Sequence, residues 1–355
     1  MTKPKFILSK EKLKEQVGKL EDLGLKVSYS YKTNREVGEV LQSLDGCEDV
    51  DFSIHSRQEI KDIEDKEKIW FFLQAELEED LKSILNKNVR NFVVDNEVDL
   101  ERLLEVINSK NIPISLSLRM KFKEHRIGTG KYFVYGMPSR KVNRLIEKLE
   151  GEKLIDRLGV HIHRKTQNTS EWKIVKDLKD SLIKDSLNKI DFVNLGGGLP
   201  SIYRSSSVNV FDYIFKKLRE ANEWLSNYDI EAIIEPGRFI AAPAVRLETE
   251  IIQRYRGNLI VNTTVYNGAM DSILTNTKML VEGEIKKGEE GYKDGKNFLI
   301  KGNSPTRDDI FRYRARLPSD IKVGDKIVFL NAGAYNYTTD FFGFKKLSTV
   351  IKESF

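Results

Sequence analysis

Short apolar runs and amphipathic stretches take turns along the first two-thirds of the chain. Runs at 26–34, 50–54, 69–73, 91–94, 114–118, 158–162, 190–195 and 230–234 read as strands. Stretches at 35–44, 57–64, 76–87, 98–109, 139–150, 171–186 and 210–226 read as helices. Eight strands, most followed by a helix, predict an α/β architecture, a parallel (β/α)8 TIM-type barrel. The competing open, doubly wound sheet normally has a glycine fingerprint after its first strand, and this chain carries none there. Ahead of the barrel, Phe6-Ile7-Leu8 reads as a short strand, with Ser9 capping a helix over 10–23. After Arg238 the pattern becomes alternation, at 246–253, 259–264, 278–284, 298–301, 326–330 and 345–351, punctuated by Gly and Asp/Asn. The expected organisation is therefore a strand and helix over 1–24, a barrel over 25–243 and a C-terminal β domain over 244–355 that takes in the N-terminal strand.

Composition narrows the function classes. The 355 residues include 59 Lys and Arg against 54 Asp and Glu, spread evenly for a net charge of +5. No basic block interleaved with aromatics stands out, so nucleic acid is not an expected partner. No apolar run approaches the ~20 residues that span a bilayer, and charged helix follows Phe6-Ile7-Leu8 where a signal peptide would continue. A cytoplasmic protein is expected. A single cysteine, Cys47, excludes an internal disulfide and a multi-cysteine metal site, and no metal is expected.

The chemistry-bearing residues fall at the ends of the expected strands. Within 26–34, Val27, Tyr29 and Tyr31 share one face while Ser28, Ser30 and Lys32 share the other. His55-Ser56, Gln74, Asp95, Arg119, His163, Gly196-Gly197-Gly198 and Glu235-Pro236-Gly237-Arg238 follow the other seven strands in turn. In a barrel these converge on the C-terminal rim, where such folds carry their active sites. The glycine triplet fits an amide cradle for a phosphate and fits a plain tight turn equally well. Arg238 adds a guanidinium suited to phosphate. A lysine, an anion site, a rim carboxylate and a histidine together suggest pyridoxal 5'-phosphate: lysine forms the Schiff base and the carboxylate keeps the pyridine nitrogen protonated.

The landmarks Tyr31-Lys32-Thr33-Asn34, Ser56-Arg57-Gln58-Glu59-Ile60, Gly159-Val160-His161-Ile162-His163, Gly196-Gly197-Gly198, Glu235-Pro236-Gly237-Arg238 and Gly333-Ala334-Tyr335 occur in an order and spacing that carry a resemblance. The chain resembles the barrel-fold, alanine-racemase-like pyridoxal phosphate enzymes, in their ornithine/diaminopimelate decarboxylase branch, from Pro4 to Phe342-Gly343-Phe344. The resemblance implies an amino-acid decarboxylase, of the ornithine, diaminopimelate or carboxynorspermidine kind. Lys32 would carry the Schiff base, His163 would stack on the cofactor ring, and Glu235 would pair with the pyridine nitrogen. Thr166, Gly197, Gly198, Gly237, Arg238 and Tyr335 would surround the phosphate. Arg119, Asn276, Thr306, Arg307 and Asp309 would meet a small amino-acid substrate. The resemblance also implies a homodimer with shared active sites, in which the 304–309 loop and Tyr335 reach the partner's barrel. A carboxylate at position 235 favours decarboxylation over racemisation, because racemases of this fold place an arginine there. His161 is expected to face away from His163 as a barrel-wall residue.

The chain departs from the family at its proton donor. A cysteine usually stands in the stretch matched here by Gly302-Asn303-Ser304-Pro305-Thr306-Arg307-Asp308-Asp309, and Pro305 takes its place. Tyr337, Asp308, Lys32 or water would have to serve instead. Thr275-Asn276 stands where ornithine decarboxylases carry a Tyr-Asp pair, which dilutes the acidic pocket for a distal ammonium. The alternatives are a decarboxylase-like regulatory or binding protein, or a racemase or lyase on the same cofactor.

Overall fold

The computed structural model describes residues 2–121, 135–204, 210–337 and 343–355; Phe342, in the last landmark of the resemblance, lies outside them. The β-branched and aromatic runs pair in parallel in chain order: Lys26–Ser30, Asp51–Ile54, Ile69–Phe72, Asn91–Val94, Ile114–Lys121, Ile155–His161, Phe192–Asn194 and Glu231–Ile234. Ile233 and Ile234 then pair with Lys26 and Val27, so the eighth strand closes on the first. The result is the expected (β/α)8 barrel, with a two-residue strand, Met137–Pro138, added outside the fifth strand. Closure leaves no barrel edge to aggregate and points every strand's C-terminal end at one rim.

Helices cover the outside through their apolar faces. In Glu97–Lys110 the residues Leu100, Leu103, Val106 and Ile107 are buried, Asn96 caps the first turn, and Asn111 closes the helix in the left-handed conformation. The stretch expected as a helix at 57–64 is a 3-10 turn, Arg57–Asp62. It is held by a capping box in which Glu59 accepts from the amides of His55 and Ser56, at 2.8 and 2.9 Å. The helix expected over 171–186 divides into Ile174–Ser181 and Lys184–Leu187.

A second, mixed sheet runs Leu280–Val281, Lys326–Leu330, Val245–Tyr255, Asn258–Val261, Lys296–Lys301, Ile310–Leu317. The N-terminal strand Lys5–Ser9 joins this sheet, antiparallel to Val245–Tyr255 and parallel to Ser348–Lys352. Its Phe6, Ile7 and Leu8 are almost fully buried there. The strand Ile310–Leu317 has no counterpart in the expected pattern. Its arginines 312, 314 and 316 interrupt the apolar run, and Arg312 turns inward to Glu284 at 2.6 Å and the Met279 carbonyl at 2.7 Å.

Two side chains pin the sheet to the barrel mouth. Asn34 caps the helix Arg35–Leu41 by accepting from the Val37 amide, at 3.2 Å, and donates to the Gly333 carbonyl at 2.8 Å. The Tyr335 amide donates to the Thr33 carbonyl at 3.0 Å.

Candidate active site

Lys32 stands just past the first strand, not on it. That strand ends at Ser30, whose amide donates to the Pro236 carbonyl at 3.1 Å, and a 3-10 turn, Tyr31–Thr33, carries the lysine over the rim. The turn keeps the alternation useful: Ser28, sharing the lysine's face, lies inside the barrel and hydrogen-bonds Ser53 at 2.7 Å. The Lys32 ammonium opens onto a cavity of about 340 Å³ lined by Ser30, His55, Phe72, Arg119, His163 and Glu235, among others. Burial lowers the Lys32 pKa, Glu235 works against that, and Arg119 adds to it.

Glu235 follows the eighth strand and is buried on the barrel axis. Its Oε1 accepts from Ser53 at 2.8 Å and from Asn194 at 2.9 Å, and its Oε2 pairs with His161 Nε2 at 2.9 Å. Burial alone would push the carboxyl up, but the donors His161 and Ser53 outweigh it and hold Glu235 well below the usual carboxylate range. A carboxylate offers about four lone-pair sites. Three are used, which leaves one for a cationic N–H donor in the cavity.

His161 belongs to this network and is not a barrel-wall residue. Two positions apart on an extended strand means the same face, so His161 and His163 both point inward, their rings 6.2 Å apart and nearly parallel. Burial lowers the pKa of both, and Nε2 of His161 is the donor to Glu235 because an ionised carboxylate can only accept. His163 keeps an open face on the cavity and accepts from the Gly197 amide at Nδ1, 3.4 Å away. Donor atoms of His161, His163 and Glu235 lie within 4.8 Å of one another. Glu235 is already engaged by His161, Ser53 and Asn194, and its remaining lone pair and the open face of His163 suit a flat organic ring.

The glycines are required by close packing. Gly196 has φ +68°, and a Cβ there would run into the Ile162 carbonyl. At Gly197 a Cβ would stand 2.8 Å from the Glu235 carbonyl, and at Gly198 2.8 Å from the Lys165 carbonyl. A Cβ at Gly237 would strike Thr33. Beside this backbone sits Arg238, buried and ion-paired through two nitrogens to Asp271, with Tyr203 Oη at 2.8 Å and Thr166 Oγ1 at 3.4 Å. Burial opposes the guanidinium charge, but the Asp271 hydrogen bond outweighs it and holds the proton more tightly than usual.

Tyr335 lies over the Arg238 guanidinium at 5.2 Å and accepts from Thr33 Oγ1 at 3.3 Å, in its own chain. The expectation that it reaches a partner's barrel is therefore corrected. The landmark Gly333-Ala334-Tyr335 packs against the rim of the barrel it is covalently joined to, and Tyr335 is held at φ +57°. Such a backbone angle on a non-glycine residue is a strain characteristic of functional loops.

Among the expected substrate residues, Arg119 lines the cavity and the rest do not. Asn276 is exposed at φ +56° beyond the short helix Asp271–Leu274. Arg307 and Pro305 are exposed, and Thr306 bonds Tyr266 at 2.8 Å. Asp309 is fully buried and organises its own loop, accepting from the amides of Val265 and Ser304 at 2.8 and 2.9 Å. Of the expected proton donors, Asp308 is exposed and Tyr337 stacks on Phe6 at 4.1 Å, away from Lys32. Asn194, Ser53, Tyr203 and Asp271 enter the site with no motif to mark them, and His55 joins them from the rim position expected of it. Only His55 had a visible signal, its position after the second strand.

The donor set fits pyridoxal phosphate: an ionised carboxylate with a free lone pair, an open imidazole, a lysine with a lowered pKa, and a glycine-lined corner beside the Asp271-paired Arg238 guanidinium. Comparison with known proteins agrees. Residues 9–242 match the family model described as the pyridoxal-dependent decarboxylase, pyridoxal binding domain. The diaminopimelate decarboxylase of Staphylococcus aureus is 22% identical over 94% of this chain and 84% of its own. Antizyme inhibitor 2 of Xenopus laevis is 23% identical over 83% of this chain and 69% of its own. The diaminopimelate decarboxylase of Helicobacter pylori, solved with L-lysine, superposes with a TM-score of 0.80 at 20% identity over 99% of this chain and 92% of its own. The match spans the whole barrel, where Lys32, His163, Glu235 and Arg238 stand, and the chain belongs to the pyridoxal-dependent decarboxylase family, with pyridoxal 5'-phosphate as its cofactor.

Proposed function

We propose that the chain decarboxylates a small amino acid, with the cofactor attached to Lys32 as a Schiff base. The observation that carries this reading is that Lys32, His163 and an ionised Glu235 line one cavity, with Arg238 and the glycine backbone next to it. When bound, pyridoxal phosphate supplies an electron sink for the bond broken at the substrate α-carbon.

The chain's own residues divide the remaining work. Lys32 needs a neutral amine to bond a carbonyl, and its burial beside Arg119 moves it that way. Glu235 holds a proton on a ring nitrogen, preorganised by Ser53, Asn194 and His161 so that nothing has to rearrange. His163 offers a flat neutral face to the ring. Thr166, Gly197, Gly198, Gly237, Arg238 and Tyr335 bind the phosphate, with Asp271 and Tyr203 fixing the guanidinium's orientation. Arg119 meets the substrate at the cavity wall. Segments 1–24 and 244–355 close over the barrel of 25–243.

The molecule works as a cytoplasmic homodimer in which the 304–309 loop, including Thr306 and Arg307, faces the partner's cavity. The loop's lack of any part in its own chain's cavity supports this, as does the buried Asp309 that stiffens it. The second reading, a regulator without catalysis, draws on the similarity to antizyme inhibitor 2 and on Pro305. A regulator has no need of the Glu235 network, which favours the enzyme.

Purified protein loaded with pyridoxal phosphate is to be incubated with L-, D- and meso-amino acids, including ornithine, lysine, diaminopimelate and carboxynorspermidine. Carbon dioxide release from at least one, lost in Lys32→Ala, is the expected outcome. No release from any of them would favour the regulator.

A further inference from the structure

His55 is the residue that neither the resemblance nor the proposed function employs. It follows the second barrel strand, lines the cavity, and places Nε2 3.2 Å from Lys32 Nζ, the atom at which covalent chemistry would occur. Its position is set on both sides. The His55 amide donates to Glu59 at 2.8 Å inside the capping box. Its ring stacks on Phe72 at 4.6 Å and 14°, and Phe72 in turn packs edge-on to His161 at 5.1 Å.

We propose that His55 is the acid that returns a proton to the substrate α-carbon after carbon dioxide leaves, in the place of the donor that Pro305 cannot be. The inference rests on the decarboxylase reading. In the step, the bond between the α-carbon and the carboxylate breaks and carbon dioxide departs. The electron pair left at the α-carbon takes the Nε2 proton of the imidazolium and forms a C–H bond. The neutral imidazole regains a proton from water. One proton is consumed per turnover, and no oxidant or reductant is needed.

The other groups around the cavity are less suited. Arg119 holds its proton too tightly to give it up. Glu235 is ionised and engaged by three donors. His163 shares the inward face with His161, and its Nδ1 is turned to Gly197. Asp308 and Tyr337 lie away from the cavity in this chain. Lys32 itself, once displaced, and Tyr135, at 5.2 Å from Arg119 across the cavity, are the competitors that remain.

Charge makes His55 responsive to the state of Lys32. Burial first, then the Lys32 ammonium, push its pKa down to about 3; Glu235 opposes them, while Arg119 and His161 add to them. Two groups 3.2 Å apart cannot both be cationic at low cost. The pair therefore holds one proton, and once the substrate has displaced Lys32 from the cofactor the freed amine passes that proton across 3.2 Å to His55, which is when a donor is needed.

Two measurements test this. In cofactor-free protein labelled at histidine, the His55 resonance is to be titrated by NMR in wild type and in Lys32→Met. Removal of the ammonium should raise the His55 pKa by about one unit or more. No shift would show that the pair does not interact and would overturn the proposal. In the loaded enzyme, His55→Gln should lower kcat about 10²–10⁴-fold with little change in KM. More of its turnovers should end with the cofactor converted to pyridoxamine phosphate, because a misplaced proton goes to the cofactor carbon. A slower enzyme with the wild-type product ratio would mean that His55 only supports the structure. The same ratio change in Tyr135→Phe but not in His55→Gln would move the role to Tyr135. Should His55→Gln misfold, His55→Asn and the NMR titration decide the matter. No carbon dioxide from any wild-type incubation would remove the function itself, and the donor role with it, while the titration would still report the pair.

Discussion

Glu235 shows how much of this site is electrostatic preparation. Three donors reach its two oxygens from three different strands or strand ends, at Ser53, His161 and Asn194. Glu235→Gln should retain the cofactor and lose about 10²-fold or more in turnover, because an amide cannot hold the ring-nitrogen proton. A mutant with near wild-type rate would mean that another group tunes the ring. The carboxylate itself was legible from the sequence because it ends a strand in a Glu-Pro-Gly-Arg run. Its partners were harder to see. His161 shares the alternation of His163, so the two-residue period itself puts both on the inward face, against the expectation of a barrel-wall residue. Ser53 and Asn194 are small polar residues within strands, indistinguishable by pattern from barrel filling. Asp271 comes from another sheet's connection, which no local pattern links to Arg238.

At the scale of elements, the short helix Arg238–Ala241 and the helix Asp271–Leu274 are tied by the buried Arg238–Asp271 pair. Removing one partner of such a pair leaves an uncompensated charge and costs about 3–5 kcal/mol. Asp271→Ala should show that loss in denaturant unfolding, together with weaker cofactor binding. A variant as stable as wild type would mean that Arg238 finds a substitute. The eight barrel strands were legible because each is an apolar run of β-branched and aromatic residues ended by a polar break. The strand Ile310–Leu317 was not, because Arg312 points inward to Glu284 and breaks the alternation expected of a half-buried strand.

Across the whole molecule, the barrel mouth concentrates groups that resist protonation. His55, His161 and His163 all have lowered pKa values, burial being the first cause in each. The unfolded chain therefore binds more protons than the folded one below about pH 6.5, and stability must fall as pH drops through that range. Glu235 adds its loss below about pH 4.5, as protons begin to compete for a carboxylate held low in the fold. Urea midpoints should be flat near pH 7–8 and decline steadily below about pH 6.5, and His55→Phe should soften the decline. An unchanged profile in that variant would mean that His55 is not held neutral.

The dimer belongs to the same scale. Lys32→Ala mixed with a variant whose 305–308 segment is replaced by glycines should regain about a quarter of the activity if each cavity draws on both chains. No recovery from two inactive parents would place each site within one chain.

Everything in this reading depends on Lys32 being where the cofactor attaches. Borohydride reduction of the loaded protein, followed by proteolysis and mass spectrometry, fixes the phosphopyridoxyl group to whichever lysine holds it. The label is expected on Lys32 and absent in Lys32→Ala. A label on any other lysine, or none in protein that binds the cofactor, would contradict the site described.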